Sequence, residues 1–301
     1  MQTAMVGLGK MGINMARRLV QGGHEVIAYN RTNEKTDQLV NEGAKGTYSI
    51  KEMVQKLSPP RVVWIMLPAG EVVDKHIMQL EDILDPKDII IDGGNTHYKD
   101  DIVRSKSLGK KGIRYVDVGV SGGIWGLKKG YCLMVGGDKE VFHHLESLFK
   151  TLAPTDGYLY CGAVGSGHFL KMVHNGIEYG IMQAYAEGFQ ILKASPYAEF
   201  FSYEKISHLW NQGSVIRSWL LELAETVFSK SPDLKDIKGY IEESGEGRWA
   251  VQQAVEEGVS APVITLALMR RFQSQEEESF ADRLVSALRH EFGGHTVFSS
   301  D

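Results

Sequence analysis

Thr3-Ala-Met-Val-Gly-Leu-Gly-Lys-Met-Gly12 is the stretch that decides the fold of the first half of this chain. A short apolar strand runs into a G-x-G-x-x-G turn, a helix with apolar residues at helical spacing follows, and a second strand begins at His24. Because these parts occur in this order, the pattern predicts a βαβ unit that binds a dinucleotide, with the pyrophosphate at the start of the helix. The predicted cofactor-binding residues of this loop are Gly7, Leu8, Gly9, Lys10, Met11 and Gly12.

The end of the second strand indicates which dinucleotide is preferred. An acidic side chain at this point usually holds the free ribose 2′-hydroxyl of NAD, whereas an arginine accommodates the 2′-phosphate of NADP. This chain has Asn30, Arg31 and Thr32 there. The sequence therefore favours NADP over NAD, and the alternative that Arg31 is a solvated residue stacking on the adenine of either cofactor stays open.

Continuous apolar runs later in the first half predict further strands, buried on both faces of a parallel sheet. They cover residues 61–67, 88–92, 115–118 and 132–135, and a helix over about 138–150 completes the domain near residue 163. From Gly165 onward the periodicity is helical, with candidate helices at 166–194, 203–211, 214–229, 249–258, 262–275 and 277–292. We therefore predict an α/β Rossmann-type dinucleotide-binding domain (residues 1–163) followed by an all-α C-terminal domain (residues 164–301).

Three of the predicted strands end in unusual loops, which are Leu67-Pro-Ala-Gly70, Asp92-Gly-Gly-Asn-Thr96 and Val120-Ser-Gly-Gly123. Ligands of open α/β sheets bind outside the carboxyl ends of the strands, so these loops are expected to share one binding edge. We assign Leu67, Pro68, Ala69 and Asn95 to the cofactor. Asn95 and Ser121 are also placed where they could hold a substrate hydroxyl or carboxylate.

The long helix predicted at 166–194 has two faces of opposite character. One face carries an amine, an imidazole, an amide, a carboxylate and a phenol, from Lys171, His174, Asn175, Glu178 and Tyr179. The other carries the apolar residues Leu170, Val173, Ile177 and Ile181. Either the polar face forms the wall of an active site, or it faces water as most such faces do.

The overall composition excludes several classes of protein. The chain has 301 residues, 43% of them hydrophobic and 24% charged, as in ordinary globular proteins. Its formal net charge of −5 argues against a general nucleic-acid binder, and no apolar run approaches the length of a membrane span. Cys132 and Cys161 are isolated thiols, and no signal peptide is recognisable. We expect a cytoplasmic protein without a nucleic-acid or membrane partner.

The motifs together resemble the decarboxylating 6-phosphogluconate dehydrogenases, and the length resembles the short-chain group of that family. The resemblance is carried by 7–12, 92–95, 121–123, 165–168, Lys171, 174–179 and Phe292-Gly-Gly-His295. It implies oxidation of 6-phospho-D-gluconate at C3, loss of CO2 and formation of D-ribulose 5-phosphate, with NADP or NAD and without a metal.

The resemblance also implies roles for single residues. Lys171 would be the general base and Glu178 the general acid. The sugar acid would be held by Asn95, Ser121, Gly122, Gly123, His174 and Asn175. Its phosphate would be held by Tyr179, Arg271 and Arg289, with His295 also touching the substrate. Because Arg289 and His295 would come from the C-terminal tail of a neighbouring subunit, a homodimer or homotetramer is expected.

Two features depart from the longer members of this family. Those members carry a lysine and a threonine before the tryptophan at 249, where this chain has Ser244 and Glu246. Since a carboxylate would repel a phosphate, we expect this loop to point elsewhere. In addition, Leu67-Pro68 is more typical of the β-hydroxyacid dehydrogenases, so an enzyme acting on 3-hydroxyisobutyrate or a similar small acid is the leading alternative, and a catalytically silent NADP-binding sensor or scaffold is a further one.

Overall fold

The first half of the chain forms one eight-stranded sheet in the computed structural model, which describes residues 1–298 and, at Phe292, the backbone alone. The strand order is β3-β2-β1-β4-β5-β6-β7-β8, and every neighbouring pair is parallel except β6 with β7. The strands are β1 Gln2–Val6, β2 Glu25–Tyr29, β3 Lys45–Thr47, β4 Val62–Ile65, β5 Ile89–Asp92, β6 Arg114–Ser121, β7 Cys132–Gly136 and β8 Tyr158–Gly162.

Helices cover both faces of this sheet, which explains why its central strands are continuous apolar runs. They are α1 Gly12–Gln21, α2 Asn33–Asn41, α3 Ile50–Gln55, α4 Glu71–Glu81, α5 Tyr98–Gly109, α6 Gly126–Lys129 and α7 Lys139–Leu152. The alternating side chains of β4 show the two-sided burial, because Trp64 packs in one apolar cluster with Phe149 and Ile65 in another with Leu80. The predicted Rossmann-type fold is confirmed.

The sequence analysis did not predict two of the strands, and it expected a parallel strand where one runs antiparallel. β3 has only three residues, and β8 is nowhere fully buried, so neither has a continuous apolar run. β7 runs antiparallel to β6, with Ser121 opposite Cys132. The direction of β7 depends on its connection to β6 and not on its own apolar residues.

The second half is helical, as predicted. Its helices are α8 Ser166–Ala194, α9 Tyr203–Trp210, α10 Trp219–Lys230, α11 Glu246–Glu256, α12 Pro262–Gln273 and α13 Phe280–Gly293. The prediction for α10 began five residues early, since its true start is set by Ser218, whose side chain accepts a hydrogen bond from the N–H of Leu221. Phe189, Leu221 and Phe228 form a small apolar core with the aromatic side chains around them.

The chain separates into two compact units, Met1–His174 and Asn175–Asp301. The boundary falls inside α8, so that the helix contributes Lys171 and His174 to the first unit and Glu178 and Tyr179 to the second. No helix within residues 1–298 combines the length and apolar composition needed to cross a membrane.

Candidate active site

The glycine loop after β1 has the backbone geometry of an anion cradle. Gly7 has a φ of +93°, and a Cβ there would lie 2.5 Å from the carbonyl oxygen of Met66. At Gly12 a Cβ would lie 2.1 Å from the carbonyl oxygen of Gly7, whereas at Gly9 it would meet open space. Met11 precedes α1 and supplies no side-chain acceptor to its first turn. The loop is therefore tightly folded where it packs and open where a pyrophosphate could approach.

Asn30 joins the end of β2 to this loop. Its side-chain oxygen accepts a hydrogen bond of 2.9 Å from the N–H of Leu8, and its amide donates to Thr32. Arg31 and Thr32 are exposed beside it. Asn30 thus fixes the loop, while the cation and the hydroxyl that follow stay accessible to a ligand.

The loops after β1, β4 and β5 lie side by side at one edge of the sheet. A Cβ on Gly7 would lie 2.8 Å from the Leu67 side chain, and one on Gly94 would lie 2.6 Å from the carbonyl oxygen of Leu67. Pro68, Ala69 and Asn95 are exposed at the same edge. The predicted cofactor-binding residues of these three loops therefore lie at the same edge of the sheet.

Lys171 is buried against β6, with only 7% of its surface exposed. The strand residue that faces it is Gly119, where a Cβ would lie 2.4 Å from the Cβ of Lys171. Further along the same strand, the hydroxyl oxygen of Ser121 lies 3.5 Å from Nε2 of His174. The structure thus brings Ser121, Lys171 and His174 together in the first unit, and Gly123, two residues after Ser121, is exposed.

A buried carboxylate anchors the start of α8. Asp117 lies within β6 and is fully buried, and its two oxygens accept hydrogen bonds from the N–H groups of Gly165 (2.7 Å) and His168 (2.9 Å). These are N–H groups that a helix start leaves without an intrahelical partner. The strand therefore caps the helix that carries Lys171.

His168 forms a buried ion pair with a second carboxylate. Its Nδ1 lies 2.7 Å from Oδ2 of Asp101 in α5, and the two side chains are 1% and 0% exposed. Burial opposes a charge on the imidazole, but the adjacent Asp101 carboxylate outweighs this and raises the pKa of His168 to about 9. Burial raises the pKa of Asp101 to about 6, although His168 partly offsets that effect. Both groups are therefore charged near neutral pH.

Hydrogen bonds extend this pair to the loop that carries Asn95. The Tyr115 hydroxyl donates to Asp101 (2.8 Å) and lies 3.1 Å from Asp92. Asp92 accepts hydrogen bonds from the hydroxyl of Thr96 and the N–H of Gly94, and pairs with the guanidinium of Arg104 at 3.4 Å. Asp101, Asp117 and His168 have ligand atoms within 4.8 Å of one another, a spacing that could suit a metal ion. All four oxygens of these two carboxylates, however, already accept a hydrogen bond.

The second unit holds a polar cluster around Tyr179, which is buried. The guanidinium of Arg271 lies 3.4 Å from the centre of the Tyr179 ring. Gly247 touches the ring from α11, since a Cβ there would lie 2.3 Å from a ring carbon. Asn175 and Glu178 are half-buried on the preceding turn of α8. Tyr179 and Arg271, both predicted as phosphate ligands, are therefore in direct contact.

The expectation that the loop before Trp249 points elsewhere is wrong. Glu246 is 2% exposed and lies next to Gly247, so the loop packs against Tyr179. Ser244 donates a hydrogen bond of 2.6 Å to one oxygen of Glu246, and the other oxygen is buried without a partner in the described part of the chain. The first turn of α11 favours a carboxylate at this position.

The predicted tail residues Arg289 and His295 belong to the end of α13 and the segment that follows it. α13 ends at Gly293, as its glycine pair predicts, with Gly294 in the left-handed conformation. Arg289 and His295 are exposed, and the carbonyl oxygen of His295 lies 2.8 Å from Nδ1 of His290. Their assignment to the site of a neighbouring subunit stays a prediction.

Comparison with known proteins covers nearly the whole chain. Residues 2–165 match the NAD binding domain of 6-phosphogluconate dehydrogenase, and residues 167–291 match the C-terminal domain of the same enzyme. The chain belongs to the 6-phosphogluconate dehydrogenase family.

Relatives in this family include proteins of the same length and longer ones. The Bacillus subtilis protein YqeC, provisionally named a 6-phosphogluconate dehydrogenase, is 46% identical over 99% of each chain. The NAD(+)-dependent, decarboxylating 6-phosphogluconate dehydrogenase of Haloferax volcanii is 39% identical over 100% of each chain. The Plasmodium falciparum 6-phosphogluconate dehydrogenase, solved with its cofactor NADP+ and its substrate 6-phosphogluconate, aligns with 100% of this chain at a TM-score of 0.82 and 29% identity. This chain spans 66% of that protein.

The sequence prediction missed Asp101 and Asp117 and gave His168 no role, although His168 lies in a motif of the 6-phosphogluconate dehydrogenase family. The available signal was an acid inside an apolar strand, because Asp117 interrupts Tyr115-Val-Asp-Val118. An ionised side chain at such a position has to be paired or hydrogen-bonded. Its partners are about fifty residues away along the chain, so the spacing of residues could not identify them.

Proposed function

We propose that this member of the 6-phosphogluconate dehydrogenase family oxidatively decarboxylates 6-phospho-D-gluconate to D-ribulose 5-phosphate and CO2. The observation that carries the proposal is the burial of two side chains on the polar face of α8, Lys171 and Tyr179, which are 7% and 5% exposed. The other three, His174, Asn175 and Glu178, are half-buried. A helix whose polar face merely met water would expose these side chains, so their burial supports the active-site alternative. An amine held in such a setting is suited to proton transfer.

Two residues of α8 perform the proton transfers in this proposal. Lys171 takes the proton of the C3 hydroxyl as the hydride leaves, and the protonated amine then polarises the resulting 3-keto group while the C1 carboxylate departs as CO2. Glu178 then protonates the carbon that carried the departing CO2, which becomes C1 of D-ribulose 5-phosphate. The two residues are seven positions apart, so their backbones are separated by about 10.5 Å along the helix. Both side chains can therefore reach one three-carbon unit from opposite ends.

The other polar residues bind and orient the substrate. Asn95, Ser121, His174 and Asn175 hold the sugar acid, together with the backbone at Gly122 and Gly123. Tyr179 and Arg271 hold the phosphate, and the stacking of the guanidinium on the phenol ring supports this pairing. Arg289 and His295 are supplied by the tail of a second subunit, which makes the active form a homodimer or homotetramer.

We propose NADP as the preferred cofactor. It would be held by the loops at 7–12, 30–32 and 67–69 and by Asn95, and when bound it accepts the hydride from C3. The tight contacts at Gly7 and Gly12 and the open space at Gly9 suit a pyrophosphate. Arg31 is the exposed cation at the end of β2 that suits a 2′-phosphate.

One assay tests the reaction and the cofactor together. Purified protein is mixed with 6-phosphogluconate or 3-hydroxyisobutyrate and with NADP or NAD, and reduced cofactor and CO2 are measured in parallel. Equal amounts of reduced NADP and CO2 from the phosphorylated substrate would support the proposal. Cofactor reduction with the small acid alone, without CO2, would identify a β-hydroxyacid dehydrogenase instead.

A further inference from the structure

The polar groups buried under the first turn of α8 take no direct part in the proposed reaction. We propose that the His168–Asp101 pair positions Lys171, by fixing the first turn of α8 relative to β6 and to the loop that carries Asn95. The inference rests on the proposed function, because that function makes Lys171 the base. All of these groups belong to the first compact unit.

The geometry shows that α8 is held at its start by two different elements. From β6, Asp117 binds the backbone N–H groups of Gly165 and His168. From α5, Asp101 binds the side chain of His168. The backbone contacts fix the end of the helix, whereas the side-chain contact, which lies off the axis, resists rotation about it. Rotation is the motion that would move Lys171 most.

Little rotation can be tolerated at Lys171. The absence of a side chain at Gly119 lets α8 lie directly against β6, since a Cβ there would lie only 2.4 Å from the Cβ of Lys171. Residue 168 precedes Lys171 by three positions, so the two are neighbours on the helix surface. A displacement of the His168 side chain is therefore transmitted to Lys171 within a single helical turn.

The same pair is connected to the substrate loop. Asp101 shares the Tyr115 hydroxyl with Asp92, and Asp92 binds Gly94 and Thr96, the residues on either side of Asn95. One continuous chain of contacts thus links the predicted base to a predicted substrate ligand. The charges also depend on His168, because three buried carboxylates, Asp92, Asp101 and Asp117, act on its imidazole. Loss of the imidazolium would leave buried negative charge uncompensated.

The test uses Asp101→Asn and His168→Asn, which keep the size or the donor position of each side chain and remove its charge. We expect each to lower kcat with 6-phosphogluconate by about tenfold to a hundredfold, as small misplacements of a reacting group do, and to change the KM for NADP less than about twofold. Because the pair acts as one unit, the double variant should be no more impaired than either single variant.

Asp88→Asn is the matched control for a general loss of stability. Asp88 is 1% exposed and pairs with Arg61 at 2.9 Å, but it precedes β5 and so lies at the opposite edge of the sheet from the proposed site. This variant should lower the melting temperature and leave the kcat of the folded protein unchanged. If it lowers kcat as much as Asp101→Asn does, the pair is only structural and the proposal is overturned.

A second measurement does not depend on turnover. Acetic anhydride labels accessible amines, and mass spectrometry of the peptide that contains Lys171 gives its labelling rate relative to the exposed Lys45. We expect Asp101→Asn to raise the relative rate of Lys171 by about fivefold or more, because the side chain loses its fixed position. Wild-type rates of both labelling and turnover in Asp101→Asn would overturn the proposal. A wild-type protein without activity on 6-phosphogluconate would instead refute the proposed function, and the labelling would still test the positioning.

Discussion

Replacing both His168 and Asp101 by asparagine should change how the stability of the protein depends on pH. The amide at 168 can still donate from the position of Nδ1 and the amide oxygen at 101 can still accept, but neither side chain can carry a charge. In the native protein the pKa of His168 is raised to about 9 from an ordinary value of 6.5. A group whose pKa is higher in the folded state contributes stability that is fully present below its unfolded pKa and is lost as the pH rises through its folded pKa. The relevant window is therefore about pH 6.5 to 9.

The size of the effect follows from the same two values. Each tenfold change in proton affinity is worth about 1.36 kcal/mol, so an increase from 6.5 to about 9 corresponds to about 3 kcal/mol at full development. In the wild-type protein Asp101, whose pKa is raised to about 6, is mostly ionised in this window. In a variant that lacks only His168, the pKa of Asp101 would rise into the same window, because the imidazole lowers it. Replacing both residues removes both titrations, so the remaining ionisable groups are common to the two proteins compared.

Urea unfolding followed by circular dichroism, repeated between about pH 6 and pH 10, measures this difference directly. The free energy of unfolding of the wild-type protein should exceed that of the double variant Asp101→Asn/His168→Asn by about 3 kcal/mol more at the acid end than at the alkaline end. A difference between the two proteins that stays constant across the range would mean that His168 is not a buried cation. The charge balance inferred for Asp92, Asp101 and Asp117 would then be wrong.

Other substitutions test the individual assignments. Glu178→Gln should lower CO2-coupled turnover by about a hundredfold or more, as expected for loss of a general acid, with little change in the Kd for NADP measured by fluorescence titration; a collapse of cofactor affinity would contradict the assigned role. Arg31→Ala should raise the KM for NADP by about tenfold and leave the KM for NAD nearly unchanged, and equal effects on both would show that the guanidinium does not bind a 2′-phosphate. Gly119→Ala should destabilise the protein by about 2 kcal/mol in urea unfolding and lower kcat, because its methyl group would collide with Lys171, whereas a fully active variant would show that α8 can move aside. Arg289→Ala should raise the KM for 6-phosphogluconate by about tenfold or more at unchanged NADP affinity, and an unchanged KM would remove the tail from the site.

The sequence predicted those elements of the fold that have a local pattern, such as an apolar run or a helical periodicity. The strands at β1, β4 and β5 are continuous apolar runs, and α8 was predicted at its observed bounds, 166–194, because its periodicity extends over many turns. β3 and β8 were missed because a strand at the edge of a sheet is stabilised by its one neighbour more than by its own composition.

The candidate site likewise contains residues that local motifs predicted and residues that they did not. Gly7, Gly12 and Lys171 lie in contiguous motifs, and the structure places them in buried or tightly packed positions. The contacts of Asp101 and Asp117 join α5, β6 and α8, which are distant in sequence, so no pattern along the chain could reveal them. Glu246 illustrates the opposite error: its charge suggested a loop that points away from the phosphate ligands, whereas the adjacent Gly247 touches Tyr179, and Ser244 and the start of α11 allow the carboxylate to be buried.

The distribution of exposure along α8 also bears on the assembly. The helix buries Lys171 and Tyr179 but exposes the aliphatic side chains of Leu170, Ile177 and Ile181 by 39%, 51% and 40%. Scattered exposed aliphatic residues are ordinary, but these three follow one face at spacings of seven and four residues. Covering such a stripe gains about 25 cal/mol for each Å² of apolar surface removed from water. The proposed second copy of the chain, whose tail would complete the site in trans, would provide that cover.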